Sequence, residues 1–226
     1  MTTLWKKWTI NCAIGELLGI ACAGGIAYFI NWSIGDPQSV GAKSIVLLAM
    51  MFAGLLEGSI LSYLQWKVLV TKFSKIPQRE WLFYTALPGV LGWFLGMLPS
   101  LFIMPENTTD TKLNPNFDFF NPYVFGLLSI SMGLILGAIF GWFQWFSLRK
   151  YAKKAYKWIV GNALGWGLGL GWIYLFASIP NEQSSLLFNL LVGAIGGVLA
   201  GLSVGAITGL FLENLESEGL PSTTVN

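Results

Sequence analysis

WTINCAIGELLG at 8–19, WLFYTALPGVLG at 81–92 and WIVGNALGWGLG at 158–169 are three ungapped copies of one pattern, W-x4-A-I/L-x3-L-G. The shared positions are Trp8, Ala13, Ile14, Leu18 and Gly19; Trp81, Ala86, Leu87, Leu91 and Gly92; and Trp158, Ala163, Leu164, Leu168 and Gly169. Each copy opens an apolar stretch of about 20 residues or more, the length that crosses a bilayer as a helix. A second pattern, G-x3-G-x6-Q-W-x2-L, closes the stretch that follows. It reads Gly54, Gly58, Gln65, Trp66, Leu69 and then Gly133, Gly137, Gln144, Trp145, Leu148. The last stretch keeps the frame, with Gly197, Gly201, Thr208, Gly209 and Leu212 in the same columns.

Self-similarity of this kind marks a repeated structural unit. It predicts an all-α polytopic membrane protein of six transmembrane helices, arranged as three tandem two-helix hairpins over 6–70, 79–149 and 156–213. Residues 214–226 read as a flexible tail. Hairpins that all start and end on one side are parallel repeats, which imply a pseudo-threefold axis along the membrane normal.

Composition agrees with a bilayer as solvent. Of 226 residues 54% are apolar and only 11% charged, against about a quarter charged in a soluble domain. The spans run from Trp8 to Trp32, Ser44 to Trp66, Trp81 to Met104, Tyr123 to Leu148, Trp158 to Ser178 and Ser185 to Leu212. Lys6, Lys7, Lys67, Lys72, Lys75, Arg79, Arg149, Lys150, Lys153, Lys154 and Lys157 lie on one side, 11 of the 13 basic residues. The positive-inside rule makes that side cytoplasmic, with both termini inside. Lys6-Lys7 before an apolar run also resembles a cleaved leader, but this segment shares its pattern with two later spans that cannot be leaders.

Counting also excludes chemistry. Without histidine there is no imidazole base and no imidazole metal ligand. Cys12 and Cys22 sit in one apolar segment and read as small core residues. A net charge of +2 gives no reason to expect nucleic acid. Neither a metal site nor a catalytic motif is expected, and no cofactor is specified.

Two ionisable side chains lie deep within the spans, Glu16 and Glu57. They are 8 residues from Trp8 and 9 from Trp66, hence at one depth about 12–14 Å inside the interface. Their repeat counterparts are Gly89 and Trp166 for Glu16, and Leu136 and Ala200 for Glu57, so both acids break an otherwise kept pattern. A carboxylate at that depth is expensive unless paired or hydrated, and two together would share a proton. This points to a pair handling a proton or cation, or to oxygen ligands for a bound molecule. The bland alternative is interhelical hydrogen bonding.

Gln65, Gln144 and Thr208 occupy equivalent positions and predict a polar ring near the cytoplasmic mouth. Gly54, Gly58, Gly133, Gly137, Gly197, Gly201 and Gly205 form small-residue stripes that let helices approach closely, which suggests that the even-numbered helices make the inner contact. Asn11, Asn162 and Asn189 read first as interhelical bonds. Trp8, Trp66, Trp81, Trp145 and Trp158 fall beside the basic clusters and read as interfacial anchors. Arg149, Lys150, Lys153, Lys154 and Lys157 form a basic patch facing anionic lipid. Glu213, Glu216 and Glu218 form an acidic end that can lie against these loops. The loop from Pro105 to Pro122 carries Phe117-Asp118-Phe119-Phe120 and an Asn107-Thr108-Thr109 sequon.

Three functions compete. The first is a channel- or transporter-like protein in which Glu16 and Glu57 handle a proton or cation. The second is a non-catalytic membrane subunit that binds lipid or pigment or docks to other membrane subunits. An intramembrane enzyme with a carboxylate dyad ranks last, because neither acid lies in a catalytic motif.

Overall fold

A chain in hydrocarbon must satisfy its backbone polar groups internally, and a helix does so within one segment. The computed structural model describes residues 2–103, 122–181 and 183–217, and in it every long apolar stretch is helical. The helices are α1 (Thr3–Ile34), α2 (Val40–Leu69), α3 (Gln78–Leu98), α4 (Pro122–Leu148), α5 (Lys157–Ala177) and α6 (Leu186–Asn214). All six are long and apolar enough to cross a membrane. Thr2, Ser39 and Ser185 cap α1, α2 and α6, each side-chain oxygen accepting from a backbone N–H in the first turn. Gly35, at φ +69°, closes α1 in a conformation that disfavours other residues. Pro88 lies buried inside α3, and α3 runs on into a π-helical turn at Pro99–Ile103.

The helices form a closed ring. Each packs on its neighbours in sequence, α6 packs on α1, and the α3–α4 seam is the thinnest. No two even-numbered helices form an extensive contact, so the inner contact expected among them is corrected. Their glycines face the odd-numbered helix that follows. A methyl group added at Gly58 would lie 2.7 Å from Ala86 Cα, one at Gly137 2.8 Å from Ala163 Cα, and one at Gly201 2.6 Å from Ala13 Cα. Those alanines hold one column of the repeat, so the small residue of one pattern is the seat for the glycine of the other. Gly54, Gly133, Gly197 and Gly205 make similar approaches to Gly89, Gly167, Ile20 and Thr9. The even helices cannot meet one another because the space between them is occupied.

Tryptophan occupies part of it. Trp8, Trp81 and Trp158 are completely buried, with ring centroids 5.6 Å apart for Trp8–Trp158 and 6.3 Å for Trp81–Trp158. They are a core cluster on the ring axis, not interfacial anchors. The packed inside of the ring buries the large indole faces, and buried polar side chains there meet two of the three N–H groups. Trp66 and Trp145 are half-buried at the helix ends; Trp66 Nε1 donates to Ile76 O at 3.0 Å, and the Arg149 guanidinium lies 4.8 Å over Trp145. The outer wall is apolar: Ile10, Ile14 and Leu18 of α1 and Val160, Leu164 and Leu168 of α5 are all exposed. On α1 and α5 the W-x4-A-I/L-x3-L-G pattern thus resolves into an inward Trp/Ala face and an outward Ile/Leu face.

Residues 214–217 are placed, although the sequence assigns them to the tail. Asn214 ends α6, Leu215 is buried, and Glu216–Ser217 pairs antiparallel with Ala152–Lys153 in the α4–α5 loop, Lys153 opposite Glu216. Lys72, in the α2–α3 loop, donates to Leu212 O and Glu213 O at 2.7 and 2.8 Å and so closes the C-terminus of α6. Lys72→Met is expected to lower stability by about 1 kcal/mol through loss of these carbonyl partners, measured by denaturant titration in detergent. Cys12 is buried, whereas Cys22 is exposed on the outer face, and both are free. Asn11 and Asn162 bond to the backbone of their own helix, at Lys7 O and Trp158 O, instead of crossing between helices; Asn189 is exposed. The Phe117–Phe120 run, the Asn107 sequon, Glu182, Glu218 and the chain from 219 onward lie outside the described residues.

Candidate functional site

Buried side chains inside the ring lie in tiers. The tier nearest the basic loops holds Trp8, Trp81 and Trp158 with Gln65, Gln144 and Thr208, all buried. Trp8 Nε1 donates to Thr208 Oγ1 and Trp158 Nε1 to Gln144 Oε1, each at 2.8 Å. Gln144 Nε2 donates to Thr85 Oγ1 at 3.0 Å and reaches Gln65 Oε1 at 3.4 Å. Gln65 Nε2 points to Cys12 Sγ at 3.6 Å. Trp81 Nε1 has no partner among the described residues. Of the three polar side chains foreseen as a ring, Gln65 and Gln144 approach each other, whereas Thr208 is engaged by Trp8 and donates to Val204 O of its own helix. They form a plug and not an open constriction. Gln144→Leu strands Trp158 Nε1 and is expected to cost about 1–3 kcal/mol, checked by the same titration.

Leu61, Phe140 and Val204 share the next column and are buried. Beyond Leu61 and Phe140 opens a cavity of about 710 Å³ that extends to Asn31, Gly35 and Pro37, at the ends of α1 and α2 remote from the basic loops. Glu16 and Glu57 both line it. Glu16 is 0% exposed to solvent and neither of its carboxyl oxygens has a partner among the described residues. Glu57 is half-buried, accepts from Trp93 Nε1 at 2.7 Å, and is near enough to Glu16 for their charges to interact. Glycine makes the room: a methyl group at Gly19 would lie 2.6 Å from Glu57 Cγ, and one at Gly201 would lie 2.9 Å from Glu16 Cβ.

The remaining lining is mostly apolar, with Ile20, Val46, Met50, Leu136, Ile139 and Leu170 among it, Asn31 and Tyr174 as further polar side chains, and no lysine or arginine. Trp166, which holds the column of Glu16 in the third copy of the sequence pattern, stacks on Phe140 with centroids 5.0 Å apart and lines the cavity with it. Leu95 of α3 and Met132 and Ile135 of α4 line the cavity while remaining 46%, 45% and 63% exposed. Among the described residues, side chains of the thin α3–α4 seam therefore belong both to the cavity wall and to the exposed apolar surface.

Trp93 is the residue that reading the sequence missed. Its column holds Ile20 and Leu170 in the other repeats, so the same departure from the pattern that singles out the acids was present there too. Among the described residues no group of three or more Cys, Asp or Glu side chains is placed to hold a metal ion.

On the basic face, Arg149, Lys150, Lys153, Lys154 and Lys157 are all exposed. Arg149 lies over Trp145 and Phe146, and Lys150 pairs with Glu80 at 3.0 Å. The hydrogen bond that Lys150 donates to Glu80 Oε1 holds its ammonium above its ordinary range. An exposed pair of this kind adds little stability, which leaves orientation and surface charge as its effects.

No protein-family model matches the chain, and neither a curated protein nor a solved structure shows significant similarity to it.

Proposed function

We propose that the chain is a small transporter-like integral membrane protein in which Glu16 and Glu57 handle a proton or cation at the closed end of the central cavity. The observation that carries this reading is Glu16: a fully buried carboxyl with two unpartnered oxygens, facing a second acid, in a wall that has no basic side chain. A group used only as interhelical glue would have its hydrogen bonds made. The chain is non-enzymatic in this reading, and its termini and basic face lie in the cytoplasm. The Trp–Gln–Thr plug separates the cavity from that face, so passage requires the plug to rearrange and follows an alternating-access scheme better than an open pore.

A pseudo-threefold arrangement of three two-helix hairpins is part of this proposal. The three glycine–alanine seats and the three buried tryptophans fall in equal columns of the sequence patterns, and against that background only α1 and α2 carry acids away from the helix ends. The basic patch sets the orientation and contacts anionic lipid.

The test is flux. Reconstituted protein moves protons or monovalent cations into liposomes, and Glu16→Gln and Glu57→Gln each reduce that flux by about tenfold or more. Flux untouched by both substitutions removes the acids from the mechanism. A second reading, a lipid- or pigment-binding subunit of a larger membrane assembly, is favoured by the thin α3–α4 seam and the mostly apolar lining. It predicts a bound molecule that co-purifies from native membranes and no flux from the protein alone.

A further inference from the structure

We propose that the cavity takes a lipophilic primary amine, with its hydrocarbon body along the apolar wall and its ammonium held at Glu16 and Glu57. This deepens the reading of the two acids as a cation-handling pair and rests on it. The cavity, at about 710 Å³, is in the range of small-molecule sites, roughly 300–1,000 Å³. Its charge is one-ended: the acids stand toward the closed end, level with Leu136 and Ile139, and Ile20, Leu170, Met50 and Val46 follow outward.

The hydrogen-bonding inventory selects the head group. Trp93 occupies one oxygen of Glu57, while Glu16 Oε1 and Oε2 are buried without partners. An ionised carboxyl only accepts, and an ammonium offers three donors and no acceptor. A hydroxyl brings one donor and no charge. A carboxylate or phosphate head group would add negative charge where no lysine or arginine lines the wall, and like charges in a low-dielectric site are costly. The occupant must therefore supply the positive charge itself. The indole of Trp93 and the stacked Phe140–Trp166 pair stand near this end and favour a cation over a neutral group. The α3–α4 seam supplies the route: a molecule dissolved in the bilayer reaches the cavity between Leu95 and Met132 without crossing either aqueous face.

The experiment uses the full chain in lipid nanodiscs and a hexadecylamine carrying a photoreactive diazirine on its tail. Mass spectrometry is expected to find the label on cavity residues of α3 and α4. Unlabelled hexadecylamine competes it away, and hexadecanol and palmitate at equal concentration do not. In the isosteric double variant Glu16→Gln/Glu57→Gln, the concentration needed for half-labelling rises by about tenfold or more as the charge-assisted bonds are lost. Equal competition by the alcohol or the acid overturns the proposal, because the cavity then selects only a chain. Labelling that survives the double substitution, or that falls outside the cavity, overturns it as well. The competition series needs no variant and decides the matter even if the double variant fails to fold. Carboxylate-dependent cation flux without amine labelling sinks this inference and leaves the transport reading standing. Amine labelling without flux establishes the inference and sinks transport.

Discussion

Replacing Trp158 by alanine is expected to lower the free energy of unfolding by about 3–5 kcal/mol, the range for truncating a large aromatic side chain in a packed core. Trp158 has no solvent exposure, packs edge-on against Trp8 and Trp81, and donates to Gln144. The substitution removes all three contacts together and leaves Gln144 Oε1 without its donor. It also hollows the plug, because the Trp tier is what stands between the cavity floor at Leu61 and Phe140 and the basic loops. Liposomes carrying Trp158→Ala should therefore dissipate a proton gradient faster than those carrying the unaltered protein. Trp32→Ala is the control: that side chain is 75% exposed, and its loss should change neither stability beyond about 0.5 kcal/mol nor leakage. Trp158 acting as an interfacial anchor would give the opposite ranking, with Trp32 at least as important. A variant that unfolds in detergent still reports on the first half of the prediction, and the milder Trp158→Phe, which keeps most of the aromatic volume but not the N–H, reports on the second.

The membrane class and the six spans are legible from the sequence because they rest on runs of apolar residues, a property that tertiary context rarely overrides. Span ends are less legible. α1 starts at Thr3 and ends at Ile34, beyond both tryptophans that bound its apolar run, since nothing stops a helix at the hydrocarbon edge when capping groups lie further out. The two repeat patterns show which residues recur but not which way they face. Trp8, Trp81 and Trp158 sit beside basic residues in sequence, as interfacial anchors do, and only the packing shows them pointing to the axis, where Thr208 and Gln144 meet two of their N–H groups. For the glycine stripes, sequence gives a close approach but not its partner. Even-to-even packing and even-to-next-odd packing satisfy the same spacing, and the choice falls to the alanine at the fifth place after each tryptophan, small enough to accept a backbone at Gly58, Gly137 or Gly201. The depth and neighbourhood of Glu16 and Glu57 follow from helix arithmetic. Their environment does not, because a cavity is the absence of side chains around an axis and has no spacing of its own to read.

Glu16→Met is expected to raise the unfolding free energy by about 1–3 kcal/mol while abolishing amine binding and carboxylate-dependent flux. A buried carboxyl without partners costs the fold the hydration it had in the unfolded chain. Methionine is unbranched, nearly as long, and asks for no hydrogen bond, so it fits between Leu61 and Gly201 without the crowding that a branched side chain would meet. Glu57→Met should behave differently. Glu57 accepts from Trp93, and removing the acceptor strands an indole N–H, which offsets the gain from removing the acid and leaves stability within about 1 kcal/mol of the starting value. The comparison separates two physical roles for one residue type in one hairpin. If both acids were packing glue, both substitutions would destabilise, Glu16→Met the more, since it is the more buried group. Stabilisation at Glu16 alone, read by SDS titration of helicity alongside the binding and flux assays, is what a site held ready for a ligand produces: its polar group is kept at a cost to the empty fold because the occupant supplies the missing donors. The same logic predicts that saturating amine narrows the stability gap between the unaltered protein and Glu16→Met, by the mass-action stabilisation that binding confers on the native state. A gap that does not close with ligand would mean that Glu16 and the amine never meet.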